Sequence, residues 1–265
     1  MSIYGKKASV SATALQRRFE RGIGSGEGSN YRPFHTSENT IAPSHSGKWL
    51  GPLTQRYRHD LSELEEGIVY GCLRDPHVTD IRENFRLGIA LTKKICEQMK
   101  LKHPDSRGDG KPLIPYTTDI LVTRDEPPIY IAISGKTRNA LRKPTDWRSL
   151  LVEHAYWTLH EVPFLVATEL EISNNALKSL TFIRPDEINF PRRADEEELE
   201  SEFLRLATAA DWAQSLLTVV RKISADMRVD TTKGMVLFKR LVWRGALDCD
   251  LERRIDEHTR NAVTF

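Results

Sequence analysis

The chain has 265 residues, of which 29% are Asp, Glu, Lys or Arg, with 39 basic against 37 acidic residues and a formal net charge of +2. That length supports one large or two modest domains with a real core. No apolar run reaches the length of a membrane span, and the opening MSIYGKKASVSATALQRR lacks the apolar centre of a secretory signal, which leads us to expect a cytoplasmic protein with no membrane partner. Cys72, Cys96 and Cys249 lie far apart and form no CxxC pair, as suits a reducing compartment. The eight histidines, His35, His59 and His103 among them, show no paired metal spacing and read as surface or loop residues.

Taken in chain order, residues 1–60 read as a loop-rich basic arm. It carries Arg17 and Arg18, and glycine at every second position in RGIGSGEGSNYRPF, from Gly22 to Gly28. The glycine run is not a dinucleotide fingerprint, because Glu27 interrupts it and no strand precedes it. A basic leading segment favours a polyanion, and a plain solvated arm is the alternative. A helix fits Leu61 to about Arg74, then a strand over 78–85 and a helix from Gly88 to about Leu101. After a Gly/Pro loop, YTTDILV (116–122) and IYIAIS (129–134) read as a hairpin around the turn TRDEPP. A helix from about Trp147 to His160 follows, then FLVAT (164–168) as a buried strand. This order reads as an α/β core over 61–170. Beyond it, 171–265 reads as a smaller domain. Pro185 and Pro191 mark its linker, a helix starts after Arg193, another runs from Trp212 to Ile223, and MVLFKRLVW looks like a β-hairpin of winged-helix type.

The stretch SGKT at 134–137 ends like a phosphate-binding loop, but Tyr130 stands where that motif needs its first glycine. Lys136 therefore has to be read by what reaches it. Glu65 shares a helical face with Leu61, Leu64, Ile68 and Val69, and a carboxylate there meets a cation, either a metal or a buried basic side chain. Asp119 sits inside a strand, where aspartate is disfavoured. The hairpin brings it to the end where Ser134 lies and Lys136 emerges. Two carboxylates and a lysine at a sheet margin suit metal-assisted phosphodiester hydrolysis, and Arg138, Arg142, Lys143 and Arg148 supply charge to follow a phosphate backbone.

Asp119, followed fifteen residues on by Ser134-Gly135-Lys136, resembles the PD(D/E)xK motif of restriction-endonuclease-like enzymes. Together with RRFERGIGSGEGSNYRPFHT, DLSELEEGIVYGCLRDPHVTDIRENF and EHAYWTLHEVPFLVATELEI, the pattern resembles the TnsA family, the endonuclease subunits of heteromeric cut-and-paste transposases, from about Gln16 to Ile172. The resemblance implies a restriction-endonuclease-like mixed-sheet core with a winged-helix-like C-terminal domain. It implies Glu65, Asp119 and Lys136 as catalytic, and Glu65, Asp119, Ser134 and the Gly135 carbonyl as ligands of two Mg²⁺ ions that Mn²⁺ replaces. It further implies cleavage of the 5′ strands at transposon ends, with a DDE transposase and an AAA+ regulator as partners, in the bacterial nucleoid. The C-terminal FKRLVWR, with Trp243, would then be an interface, or else plain hairpin core. Ser134 departs from the family's glutamate or glutamine, and Ser134→Glu is expected to leave cleavage in place. An adaptor that has lost nuclease function and a stand-alone restriction or repair nuclease are the competing readings.

Overall fold

Ser62 starts the first helix of the core. Its hydroxyl accepts from the Glu65 N–H, and Glu63, Glu65 and Glu66 crowd the first turn, where the helix dipole favours negative charge. The structure is a computed structural model, and it describes residues 11–38, 47–105, 112–184 and 196–264. The chain forms two compact units, Met1–Ile172 and Ser173–Phe265. In the first unit the order is α1 (Ala12–Glu20), β1 (Gly47–Leu50), β2 (Tyr57–Asp60), α2 (Glu63–Leu73), β3 (Val78–Arg86), α3 (Ile89–Gln98), β4 (Thr117–Arg124), β5 (Tyr130–Gly135), α4 (Arg138–Leu141), α5 (Pro144–Leu159) and β6 (Phe164–Ala167).

Strands β3, β4, β5 and β6 form one sheet in that order, antiparallel except for the parallel pair β5–β6. A parallel return needs a crossover, which α4 and α5 supply. Alternation along the strands serves two cores. Ile120, Val122 and Ile133 face α2 through Ile68 and Val69. Leu121 and Ala132 face α3 and α5 through Ile95, Val152, Tyr156 and Trp157. Burying each large apolar side chain contributes about 1.5–3 kcal/mol, so this layering fixes the sheet between its helices.

Three expectations for this unit need correction. FLVAT does not form a buried strand: β6 pairs only with β5 among the described residues, and Leu165 and Val166 are 52% and 38% exposed. A short apolar run cannot reveal whether its strand is central or at an edge. The described part of the leading segment is no free arm, because Tyr31 Oη donates to Glu83 O at 2.8 Å and Phe34 N–H to Asn84 O at 3.2 Å. Arg56 and Arg58 are internal as well, paired at 2.6 and 3.4 Å with the fully buried Glu83. His59 and His103 are buried rather than on the surface, with their rings hydrogen-bonded to Ser37 and Thr92.

The second unit holds α6 (Asn174–Ile183), α7 (Glu196–Thr208), α8 (Leu216–Asp226) and α9 (Thr231–Trp243), and no strand among its described residues. MVLFKRLVW is therefore helix, not hairpin. Its buried residues Leu237, Phe238, Leu241 and Val242 repeat at helical spacing, and Asp230 caps the start. The β-branched and aromatic content that suggested a strand is outweighed by this periodicity. Its basic residues are taken up within the unit, Lys233 and Arg240 by Glu196 and Arg244 by Glu200 at 2.5 Å. The linker prolines 185 and 191 lie outside the described residues. Among the described residues no helix is long and apolar enough to cross a membrane.

Candidate active site

The hairpin register does most of the assembly. Ile120 pairs with Ile133, so Asp119 stands at the end of β4 where β5 finishes in Ser134 and Gly135. Asp119 Oδ2 accepts from the Gly135 N–H at 2.9 Å and from Lys136 Nζ at 2.8 Å. The same ammonium donates to Gly135 O at 3.0 Å, and the Lys136 N–H is tied to Ala167 O on β6 at 2.9 Å. The aspartate side chain is buried and the lysine side chain only 16% exposed.

Glu65 arrives from α2, whose first turn lies over the end of β5. A Cβ on Gly135 would come 3.1 Å from Ile68 Cδ1 and 3.5 Å from Leu64 Cδ2. Among the described residues no basic side chain is hydrogen-bonded to the Glu65 carboxylate. Oε2 accepts from the Leu61 N–H at 3.1 Å and Oε1 from Ser62 Oγ at 3.3 Å, a variant of the capping box.

The sequence reading missed Glu153. On α5 the residues Asp146, Leu150, Glu153 and Trp157 form a buried stripe at helical spacing, the same signal that singled out Glu65. Glu153 Oε2 accepts from Ser134 Oγ at 2.5 Å and from Thr118 Oγ1 at 3.2 Å, and Thr118 in turn accepts from Trp157 Nε1 at 2.8 Å. The Ser134 hydroxyl, expected to be a metal ligand, is thus committed to holding a carboxylate in place.

These groups share one electrostatic environment. Burial, with the nearby Asp119 adding to it, pushes the Glu65 carboxyl up to about 8. Burial also raises Glu153, to about 7, against the pull of Lys136 and with the push of Asp119. For Lys136 burial opposes the charge, but Asp119, Glu153 and Glu65 outweigh it and raise the ammonium above its ordinary range. One cation faces three carboxyl groups, so the site carries a deficit of positive charge.

His35, expected at the surface, sits half-buried against Phe34 with a ring separation of 4.8 Å. Burial first, then Arg18, lower its imidazole to about 4 against the pull of Asp119, and it is neutral near pH 7. Arg18 turns inward, with its guanidinium bonded to Phe34 O and 4.2 Å above the Phe34 ring. Of the expected DNA-binding residues, Arg17, Arg138, Arg142, Lys143 and Arg148 are exposed, with Arg138 on α4, Arg142 and Lys143 in the turn between α4 and α5, and Arg148 within α5.

Oxygen donors of the kind a hard divalent cation takes are present: Asp119 Oδ2 and Gly135 O already converge on one positive group, the Lys136 ammonium. Among the described residues no three His, Cys, Asp or Glu side chains form a ready-made metal cluster. Asp119 and the Gly135 carbonyl are donors that would suit a hard ion held through one carboxylate and a carbonyl, with its remaining positions left to water or phosphate.

The family profile described as TnsA-like endonuclease N terminal matches residues 75–169, a span that holds Asp119, Ser134, Gly135, Lys136 and Glu153 but begins after Glu65. The chain is also similar to the transposon Tn7 transposition protein TnsA of Escherichia coli, 26% identical over 243 residues that cover 87% of each chain. The mixed sheet between helices is the restriction-endonuclease-like arrangement expected of that domain.

Proposed function

We propose, from the profile match over residues 75–169 and the similarity to Tn7 TnsA, that the chain is a TnsA-like endonuclease and the DNA-cutting subunit of a Tn7-like transposition system. In this reading it hydrolyses the 5′ strands at transposon ends in a divalent-metal-dependent reaction, beside a DDE transposase and an AAA+ regulator. The observation that carries the reading is the Lys136 ammonium held 2.8 Å from Asp119 Oδ2 at the end of the sheet, on the strand pair where the family profile matches.

Each residue then has a physical task. Mg²⁺, when held by Glu65, Asp119 and the Gly135 carbonyl, would polarise a phosphoryl oxygen and lower the pKa of bound water. Lys136, firmly protonated, places a fixed positive charge where negative charge develops on the phosphate. Glu153 is poised near neutrality, at about 7, and is oriented by Ser134 and Thr118, as suits a group that accepts or returns a proton. Arg138, Arg142, Lys143 and Arg148 follow the backbone on either side and fix the register of the duplex.

The test is strand polarity. Duplexes carrying a transposon end are labelled on one strand or the other and incubated with the protein, Mg²⁺ and both partner proteins. Cleavage confined to the 5′ strand supports the proposal. Equal cutting of both strands by the isolated protein would make it a stand-alone nuclease, and no cutting under any condition would leave only an adaptor.

A further inference from the structure

Gly22, Gly24, Gly26 and Gly28 all take positive φ, between 55° and 96°. Glycine enters that region freely, whereas a Cβ makes it costly. Two of the positions are also sterically closed. A Cβ on Gly26 would lie 2.8 Å from Asn30 O, and one on Gly24 would lie 2.5 Å from Arg86 Cβ. The resulting curl is pinned at several points: the Gly24 N–H donates to Arg32 O at 2.6 Å, the Arg32 N–H to Ser25 O at 3.2 Å, and the Gly28 N–H to Asp80 Oδ2 on β3 at 2.8 Å. It is a built turn anchored to the sheet.

Within the curl lies an open hollow of about 330 Å³, walled by Arg21, Arg32, Ser25, Ser29, Asn30 and glycine backbone. The lining is one-sided in its chemistry. Two arginines, two serines and an asparagine line it beside Gly22 and Gly26, with neither an acidic nor an apolar residue among them. Arg32 Nη1 donates to Arg21 O at 3.1 Å, which holds the Arg32 guanidinium against the backbone of Arg21. A concavity rich in donors, with two permanent cations and backbone that a ligand can approach closely, matches the needs of a phosphate group.

We infer that this glycine curl is a phosphate-binding hollow that holds a backbone phosphate of the DNA being cut, at a site that shares no lining residue with the carboxylate cluster. The inference rests on the proposed endonuclease reading and gives a role to a motif that the catalytic residues leave unexplained.

Two full-chain variants test it while leaving the glycines and the carboxylates alone. Arg21→Gln removes one cation, and Ser29→Asp places a carboxylate in the hollow. Binding to a fluorescent duplex is measured by anisotropy across a salt series without divalent metal. Each variant is expected to weaken binding about three- to ten-fold and to make the salt slope shallower by about one, the signature of one lost phosphate contact. Unchanged affinity and slope in both variants, with wild-type melting temperatures, would overturn the inference. So would loss of inorganic phosphate binding with duplex affinity intact, which would mark a small-anion site, and so would a wild-type protein that binds no duplex. Cleavage by the wild-type protein with Mg²⁺ and the partner proteins, assayed alongside, isolates the other reading: if it cuts no duplex while the hollow variants lose affinity, the endonuclease assignment fails and the hollow stands as a DNA-phosphate site.

Discussion

Ser134 donates its hydroxyl proton to Glu153 across 2.5 Å, inside a pocket where both residues are closed to solvent. The serine that departs from the family pattern is therefore not an empty ligand position, because it orients a carboxylate supplied by α5. Removing the hydroxyl in Ser134→Ala leaves Glu153 one donor short and costs about 1–2 kcal/mol of stability. Cleavage is expected to fall about ten-fold, since one hydrogen bond of about 1.4 kcal/mol corresponds to that factor. Thermal melting and single-turnover cleavage check this, and an unchanged rate would remove Glu153 from the reaction.

Ser134→Glu, expected from the sequence to leave cleavage in place, is expected from the structure to slow it. The new carboxylate would enter a fully buried space against Glu153, where overpacking costs about 1–3 kcal/mol and two like charges compete for one cation. A lower melting temperature and slower cleavage than wild type are expected. A variant as stable and as active as wild type would contradict the placement of Glu153.

Lys136→Met leaves the Asp119 carboxylate buried without its cation, a loss of about 3–5 kcal/mol for a broken buried pair. Cleavage is expected to fall by about 10²–10³-fold, the scale of losing a group that stabilises developing charge. Comparing melting with the rate of the surviving folded protein separates the two effects.

Stability of the metal-free protein should fall as the pH rises from 6.5 to 8.5. The folded-state values of Glu65 and Glu153, about 8 and about 7, lie above the ordinary 4.5, so their contribution is full at low pH and is lost as pH rises through 7 and 8. His35 runs the other way. Its folded-state value of about 4 lies below 6.5, so its contribution is present above that pH and is lost on acidification. Between 6.5 and 8.5 the glutamates dominate, Glu153→Gln should flatten the profile, and Mn²⁺ should restore stability most at the alkaline end, because bound ligands are ionised. A melting temperature that does not change with pH across this window would contradict the charge deficit.

Gly135→Ala probes the approach of α2. The added methyl comes 3.1 Å from Ile68 Cδ1 and pushes on the helix that carries Glu65. A cost of about 1 kcal/mol is expected, with a loss of cleavage larger than that stability change explains. Wild-type cleavage would show that the position of α2 does not control the site.

What the sequence revealed follows the range of the interactions involved. Asp119 and Lys136 were legible because a short hairpin fixes their register, and Glu65 because helical spacing put a carboxylate among apolar residues. Glu153 carried that same signal and was overlooked beside the lysine motif. Arg18 and His35 were not legible: their inward positions depend on Phe34 meeting Asn84, fifty residues away in sequence, and no local pattern encodes such a contact. In α9 the β-branched and aromatic content points to a strand while the spacing of buried residues is helical, and the spacing decides; the exposure of β6 depends on a neighbour that a strand's own residues do not specify.

The central claim is that Asp119 and Lys136 form a metal-dependent cutting centre, and Asp119→Asn tests it most directly, since it keeps the shape of the side chain and removes the charge. Cleavage of a labelled transposon-end duplex with Mg²⁺ and the partner proteins is measured against wild type, alongside melting. The account predicts a drop in 5′-strand product of at least about 10³-fold with the fold retained. Equal product from the two proteins would contradict it.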